Sequence, residues 1–286
     1  MQNYILLLPL YNDWKSLQKL LTLINIKLKK FPKKIEIVVV DDNSTVSPQL
    51  NIKKLKNIKK VKLLKLNKNL GSQKAISIGL SYLDSINKKS IITILDSDGE
   101  DDFNKFLDMI KIAESNKDKI VVSSRSKRRE GNIFIFFYLL HKIITFTFSF
   151  KWINFGNYSS FDSRNLTKIL SNNNSWFAFS SCVAKNCDVI KVEAERKRRF
   201  FGKSKLSFIG LFIHALRVNV PFFPRIILSS VFYTIILIYL KESITFLLYP
   251  SLSAIILFNL TLILTFFYSM PGEYNRRMKF IKKVKF

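Results

Sequence analysis

The sequence predicts an α/β protein with a mostly parallel sheet, followed by helices directed at a membrane. Short β-branched apolar runs recur at residues 4–8, 35–40, 61–66, 91–95 and 120–123, with helix-period segments between them. Runs without polar alternation belong to strands covered on both faces, as in parallel sheets with flanking helices. The second half instead carries long apolar stretches with basic flanks, at 133–150, 207–223, 225–240 and 243–268.

Composition fits that division. A chain of 286 residues allows one large or two small domains. It is 48% hydrophobic with 26 Phe, and its mean hydropathy is +0.12 although 23% of residues are charged. Such a mixture expects a soluble part joined to a membrane part. The net charge of +27 points to anionic partners: nucleic acid, a phospholipid surface or phosphorylated substrates. Lys, Ile, Asn and Phe are over-used throughout, so the charge alone does not choose among them. Cys182 and Cys187 lack zinc spacing and are too few for a disulfide framework. His141 and His214 lie far apart in apolar surroundings, which argues against a His-based metal site or triad. The chain opens on a strand-like run rather than a basic, cleavable leader, so a signal peptide is not expected.

In order, residues 4–8 form the first expected strand and Pro9-Leu10-Tyr11-Asn12 a turn. Leu17, Leu20, Leu21, Ile24 and Leu28 give residues 13–30 a helical apolar face. The second strand, 35–40, ends in Asp41-Asp42-Asn43-Ser44, an acidic pair suited either to a base or ribose or to an ordinary turn. A strand at 61–66 precedes a helix at 71–83. The fourth strand, 91–95, delivers Asp96-Ser97-Asp98, and a helix at 103–115 and a strand at 120–123 follow. In a parallel sheet these strand ends share one edge, where ligands bind. Two carboxylates spaced Asp-x-Asp there suit Mg²⁺ or Mn²⁺ bridging to phosphate oxygens. The competing reading is a solvated acidic turn capping the next helix. Neither a Gly-x-Gly-x-x-Gly nor a Walker sequence occurs, so a dinucleotide or P-loop site is not supported.

Beyond Arg125 the character changes. Residues 133–150 are expected to lie in the membrane interface rather than in a core or a span. Residues 156–164 read as a polar loop, and 172–174 as a loop tip. In Glu193–Lys205, Arg and Lys stand beside Gly and Ser, a composition suited to phosphate. A solvated charge run is the alternative. Nucleic acid is not expected as a specific partner, because the flanks are too apolar. Residues 207–223 read as a second surface segment. Residues 225–240 and 243–268 then read as a transmembrane hairpin broken at Lys241-Glu242. The basic tail at 271–286 puts both hairpin ends, and the catalytic part, on the cytoplasmic side of the plasma membrane, the inner one where there are two. The expected domains are a core at 1–132, an interfacial and acceptor part at 133–223, the hairpin at 224–270 and the tail.

Taken together, Pro9-Leu10-Tyr11-Asn12, Val40-Asp41-Asp42-Asn43-Ser44, Asn69-Leu70-Gly71 with Ala75 and Gly79, Asp96-Ser97-Asp98, Ser124-Arg125, the 196–205 segment and Gly272-Glu273-Tyr274 form an ordered set. By that set the chain resembles the family-2 glycosyltransferases of GT-A fold, in particular the polyprenyl-phosphate glycosyltransferase and dolichyl-phosphate mannose synthase group. The resemblance implies a GT-A nucleotide-sugar-binding domain. It implies donor binding by Pro9, Tyr11, Asn12, Asp41, Asp42, Gly71, Lys74, Asp96, Ser97 and Asp98. It implies catalytic roles for Asp96, Asp98 and Arg125, with Asp98 and Asp96 as ligands of Mg²⁺ or Mn²⁺. It implies that Arg196, Arg199, Ser204 and Lys205 hold an acceptor phosphate. Two positions depart from the family pattern. Gly99-Glu100-Asp101-Asp102-Phe103 replaces a leucine, a glutamine and a proline pair, and Gly156-Asn157 stands where Gly-Asp is usual.

The expected activity is inverting transfer of a sugar from a UDP- or GDP-sugar to polyprenyl phosphate, for cell-envelope glycan assembly or modification, by a chain able to form homo-oligomers. An ionised phosphate acceptor needs no strong base. A hydroxyl acceptor on a glycan is the alternative, with Glu100, Asp101 or Asp102 as base. A non-catalytic scaffold is a third reading.

Overall fold

The computed structural model describes residues 2–125, 132–202, 208–269 and 277–285. In chain order the strands and α-helices are β1 (Asn3–Leu10), α1 (Trp14–Lys27), β2 (Ile35–Asp41), β3 (Ile58–Leu66), α2 (Ser72–Ser85), β4 (Ser90–Ile94), α3 (Phe106–Ser115), β5 (Ile120–Arg125), α4 (Asn132–Ser149), β6 (Phe155–Asp162), α5 (Leu166–Leu170), α6 (Asn174–Phe177), α7 (Phe179–Asn186), β7 (Val189–Ala194), α8 (Phe208–Asn219), α9 (Phe223–Tyr239), α10 (Thr245–Ser269) and β8 (Ile281–Lys285). They fall into two compact units. One comprises residues 1–128, 154–205 and 271–286, and the other residues 129–153 and 206–270.

The first unit is built on an eight-stranded sheet in the order β7-β5-β6-β4-β1-β2-β3-β8. β4, β1, β2 and β3 run parallel, while β6 is antiparallel to both β4 and β5. This is the expected α/β architecture. Side chains alternate across a strand. Leu6, Leu8 and Leu10 of β1 therefore join one buried cluster with Leu17, Leu20 and Leu21 of α1 and Phe106, Met109 and Ile110 of α3. The opposite face is covered by α2. That helix lies so close that a Cβ added at Gly79 would meet Leu7 Cδ1 at 2.7 Å and Val40 Cγ2 at 2.8 Å.

Several local expectations change. Pro9 and Leu10 belong to β1 rather than to a turn, paired with Val40 and Asp41. The β4 pairing of β1 ends at Leu7, so Pro9, which has no N–H to offer, lies past that ladder. Residues 156–162, read as part of a polar loop, belong to β6. Its Ser159 and Ser160 are fully buried, and Ser160 Oγ shares a 2.7 Å hydrogen bond with Thr93 Oγ1 of β4. β7 and β8 are charged edge strands, a composition that protects sheet edges. β8, in the basic tail, pairs antiparallel with β3.

In the second unit, Ile209–Tyr239 and Thr245–Ser269 are each long and apolar enough to cross a membrane, with mean hydropathies of 1.8 and 2.0. The expected boundary between a surface segment and a short first arm is absent. Helix continues through a 3₁₀ turn at Val220–Phe222 despite Pro221 and Pro224. Polar groups tie these apolar helices together. Asn259 Nδ2 donates to Ser230 Oγ at 2.9 Å, and Ser229 Oγ and Tyr233 Oη donate to the Phe148 and Thr147 carbonyls of α4 at 2.9 and 2.8 Å. Phe136, Phe137, Leu140, Ile143 and Phe146 of α4 remain exposed.

The tight contact of Gly79 on β1 and β2 makes Gly79→Ala an overpacking substitution. It should destabilise the protein by ~1–3 kcal/mol and lower its unfolding midpoint in a detergent-solubilised thermal melt.

Candidate active site at the carboxyl edge of the sheet

β1, β2 and β4 end side by side, and their loops are stitched into one rim. Asn12 adopts a left-handed conformation with φ of 50°. Its Oδ1 accepts from the Thr45 and Val46 amides at 2.8 and 3.1 Å, and its own amide donates to Ser44 Oγ at 2.8 Å. Asn12 thus joins the loops after β1 and β2.

The two acids after β2 have different duties. Asp41 is buried, and its Oδ1 accepts from the Ser44 amide at 2.8 Å. Asp42 turns toward α2. Its two carboxylate oxygens accept from the Leu70 and Gly71 amides at 2.8 and 2.7 Å. Gly71 has φ of 90°, in the left-handed region that a side chain would strain. Burial raises the Asp42 pKa, against the lowering effect of those two amides. Asp42 therefore braces the loop before α2. Lys74, one turn into that helix, lies 5.2 Å over the Trp176 ring. Tyr11 is exposed, and Pro9 is buried in the strand.

The turn after β4 carries the densest charge. The Asp96 amide donates to Asp101 Oδ2 at 3.0 Å, and Asp98 Oδ1 accepts from the Glu100 amide at 3.0 Å. Ser97 is buried. Gly99, with φ of 83°, lies under the Phe200 ring, where an added Cβ would meet Phe200 Cε2 at 2.3 Å. Backbone bonds from Lys197 N to Glu100 O at 2.7 Å and from Phe200 N to Asp98 O at 3.0 Å lay residues 197–200 along the turn.

Side chains complete the match. Arg196 pairs with Glu100, Lys197 with Asp102 at 2.6 Å, and Arg199 with both Asp98, at 3.1 Å, and Asp13. Gly99–Asp102 thus supplies part of the docking surface, the Glu100 and Asp102 carboxylates and the Glu100 carbonyl, while Asp98 and Asp13 supply the rest. Burial first, then the neighbouring Asp96 charge, pushes the Asp98 pKa up to about 6, with Arg199 pulling the other way.

Asp96 and Asp98 offer hard oxygen donors beside basic residues able to take phosphate. That donor set fits Mg²⁺ or Mn²⁺ completed by water and substrate oxygens. Among the described residues no group of three or more His, Cys, Asp and Glu could hold a metal ion by itself. Arg125 ends β5 opposite Ala194 of β7. The Arg125 side chain, Ser204 and Lys205 lie outside the described residues.

The family model for glycosyl transferase family 2 matches residues 5–183, more than half of the chain. The chain belongs to glycosyl transferase family 2. A curated relative, dodecaprenyl-phosphate galacturonate synthase from Rhizobium johnstonii, is 24% identical over 128 residues, which are 44% of this chain and 37% of that protein. The family-2 chain is thus matched to little more than a third of that relative's length. Similar solved structures include glucosyl-3-phosphoglycerate synthase from Mycobacterium tuberculosis with Mn²⁺, UDP and glucosyl-3-phosphoglycerate. That match has 12% identity and a TM-score of 0.49 and covers 78% of this chain and 80% of that one. S. aureus TarS 1–349 with UDP-GlcNAc matches at 17% identity and a TM-score of 0.47, covering 78% and 66%. The family match includes Asp96-Ser97-Asp98 and ends before the docked basic segment.

Two residues at the family-2 site were not legible as a pair. Gln73 of α2 donates through Nε2 to Asn157 Oδ1 at 3.0 Å, and Asn157 Nδ2 donates to Asp96 Oδ1 at 3.4 Å. The available signal was the place of Gln73 beside Ala75, Ile76 and Ile78 in the helical pattern. The cysteines play no part in this cluster. Both are free, and burial pushes the Cys182 thiol up to about 12.

Asp98 also sets a pH dependence. The folded protein holds the Asp98 proton to about pH 6, above the ordinary carboxylate value of 3.8. Stability of the metal-free protein therefore falls as pH rises through that window, and the penalty is complete above it. With chelator present, Asp98→Asn should melt at a higher temperature than the parent at about pH 7.5, and the gap should close by about pH 4.

Proposed function

We propose that this family-2 chain is a membrane-associated glycosyltransferase that moves a sugar from a nucleoside-diphosphate sugar to polyprenyl phosphate on the cytoplasmic leaflet. The observation that carries the reading is the pairing of Arg196 and Arg199 with Glu100 and Asp98 across the rim of the sheet. An arginine fork binds phosphate oxygens as it binds carboxylates. Arg199 can thus exchange Asp98 and Asp13 for a phosphate, which leaves Asp98 and Asp96 to hold Mg²⁺ or Mn²⁺. Such an ion, when bound, supplies charge neutralisation for the leaving diphosphate.

The remaining work belongs to the chain. Asn12 and Asp42 fix the loops beside which the base and ribose would sit, with Tyr11 just past the end of β1 and Asp41 at the end of β2. Arg196 and Arg199, joined by Ser204 and Lys205, would take the acceptor phosphate. Positioning and fixed charge then account for most of the rate.

A phosphate acceptor is favoured over a hydroxyl because it arrives ionised and needs no base, and the arginines that would take it already hold carboxylates, Glu100 and Asp98, that a phosphate can replace. The two apolar helices support membrane association. The relative named for dodecaprenyl-phosphate galacturonate synthesis supports a lipid phosphate acceptor. Basic residues flank the hairpin and only Lys241-Glu242 lies between its arms, which supports cytoplasmic ends.

Detergent-purified protein incubated with UDP- and GDP-sugars, polyprenyl phosphate and Mg²⁺ or Mn²⁺ should form lipid-linked sugar. Asp98→Ala should reduce the yield by ~10²-fold or more. Transfer to a glycan hydroxyl, with no product on any lipid phosphate, would overturn the acceptor assignment.

A further inference from the structure

Beyond the residues that would touch donor, acceptor or metal, we infer that Gln73 and Asn157 act together as positioning residues for Asp96. They form an amide relay whose direction is set by the backbone of α7. The inference rests on the proposed role of Asp96 as a metal ligand.

The direction follows from donor and acceptor chemistry alone. Orientation of an isolated Asn or Gln amide is ambiguous, because its oxygen and nitrogen have similar shape. Here one end is anchored to a group that can only donate. The Phe179 amide N–H reaches the Gln73 side chain at 2.8 Å, so the atom facing it is Oε1. Nε2 is then the atom facing Asn157, and as a donor it requires Asn157 Oδ1 at 3.0 Å. Asn157 is left with Nδ2 toward Asp96 Oδ1, at 3.4 Å. Each amide is used once as acceptor and once as donor.

The relay is built into the fold. Gln73 lies in the first turn of α2, 9% exposed, and Asn157 lies on β6, beside β4 in the sheet. The Asp96 main chain is held separately, by the Asp101 carboxylate on its amide. The relay therefore holds the carboxylate while the turn holds the backbone. Partners at this remove from a metal change its affinity by ~10–100-fold when lost.

The test is Mn²⁺ affinity of the full chain in the presence of UDP, read from free Mn²⁺ by electron paramagnetic resonance, with sugar transfer measured alongside. Gln73→Met and Asn157→Leu should each weaken Mn²⁺ binding by ~10-fold or more. Because they break the same relay, the double variant should be no weaker than the worse single one. A merely structural role would lower the unfolding midpoint without moving Mn²⁺ affinity in the folded protein. Should Gln73→Met fail to fold, Asn157→Leu, at a half-exposed position, carries the test. Parent-like Mn²⁺ affinity in folded Asn157→Leu, or additive losses in a folded double variant, would overturn the relay. Absence of Mn²⁺ binding by the parent chain would overturn the metal reading itself, and the relay with it.

Discussion

Carboxylates gathered at one end of a buried sheet repel one another and resist ionisation unless cations or amides face them. Asp41, Asp42, Asp96, Asp98, Glu100, Asp101 and Asp102 all lie along the rim formed by β2 and β4. The surrounding structure answers that constraint in two ways. Backbone amides take Asp41, Asp42 and Asp101, and the basic segment takes Asp98, Glu100 and Asp102. Asp98 and Asp102 take a partner of each kind, since the Glu100 and Asn104 amides also donate to them. Under the proposed function, the Arg- and Lys-bound carboxylates are the ones a phosphate or divalent cation would exchange.

The helical unit meets a different constraint. Placed in lipid, as the proposed function has it, apolar helices would gain little from burying one another, so close packing and interhelical hydrogen bonds would have to hold them. Asn259 to Ser230, and Ser229 and Tyr233 to α4 carbonyls, supply such bonds between elements that hydropathy alone leaves unspecific. Arg225 adds another, donating to the Ser149 carbonyl at 3.2 Å.

Elements whose apolar pattern is unbroken were legible in the sequence. β2 is buried along its whole length, and its apolar, β-branched run at residues 37–40 needs no tertiary information, whereas the burial of Glu36 depends on Lys59 and Lys88. β6 was not legible, because Asn157, Ser159 and Ser160 read as loop residues until Thr93 appears beside Ser160. β7 and β8 failed for another reason, since lysines and glutamate on an edge resemble a solvated run. At the site, the place of Asp96 and Asp98 followed from the strand preceding them. What Arg196 and Arg199 touch did not follow, because those contacts join residues about a hundred positions apart. Spacing carries no record of such a pairing, and Gln73 was hidden by the same distance from Asn157.

The return of the chain to β3 through β8 has a consequence for biosynthesis. Residues 281–285 complete one edge of a sheet begun by β1, and Arg277, fully buried, donates to Ser77 Oγ of α2 at 3.2 Å. Both features are translated after the two long apolar helices. The sheet unit therefore emerges from the ribosome with β3 uncovered and a slot open beside α2, and it stays unfinished until those helices have been made. Maturation of the site is tied in time to handling of the helices, so a chain stalled before residue 277 would present an open strand edge to chaperones and proteases.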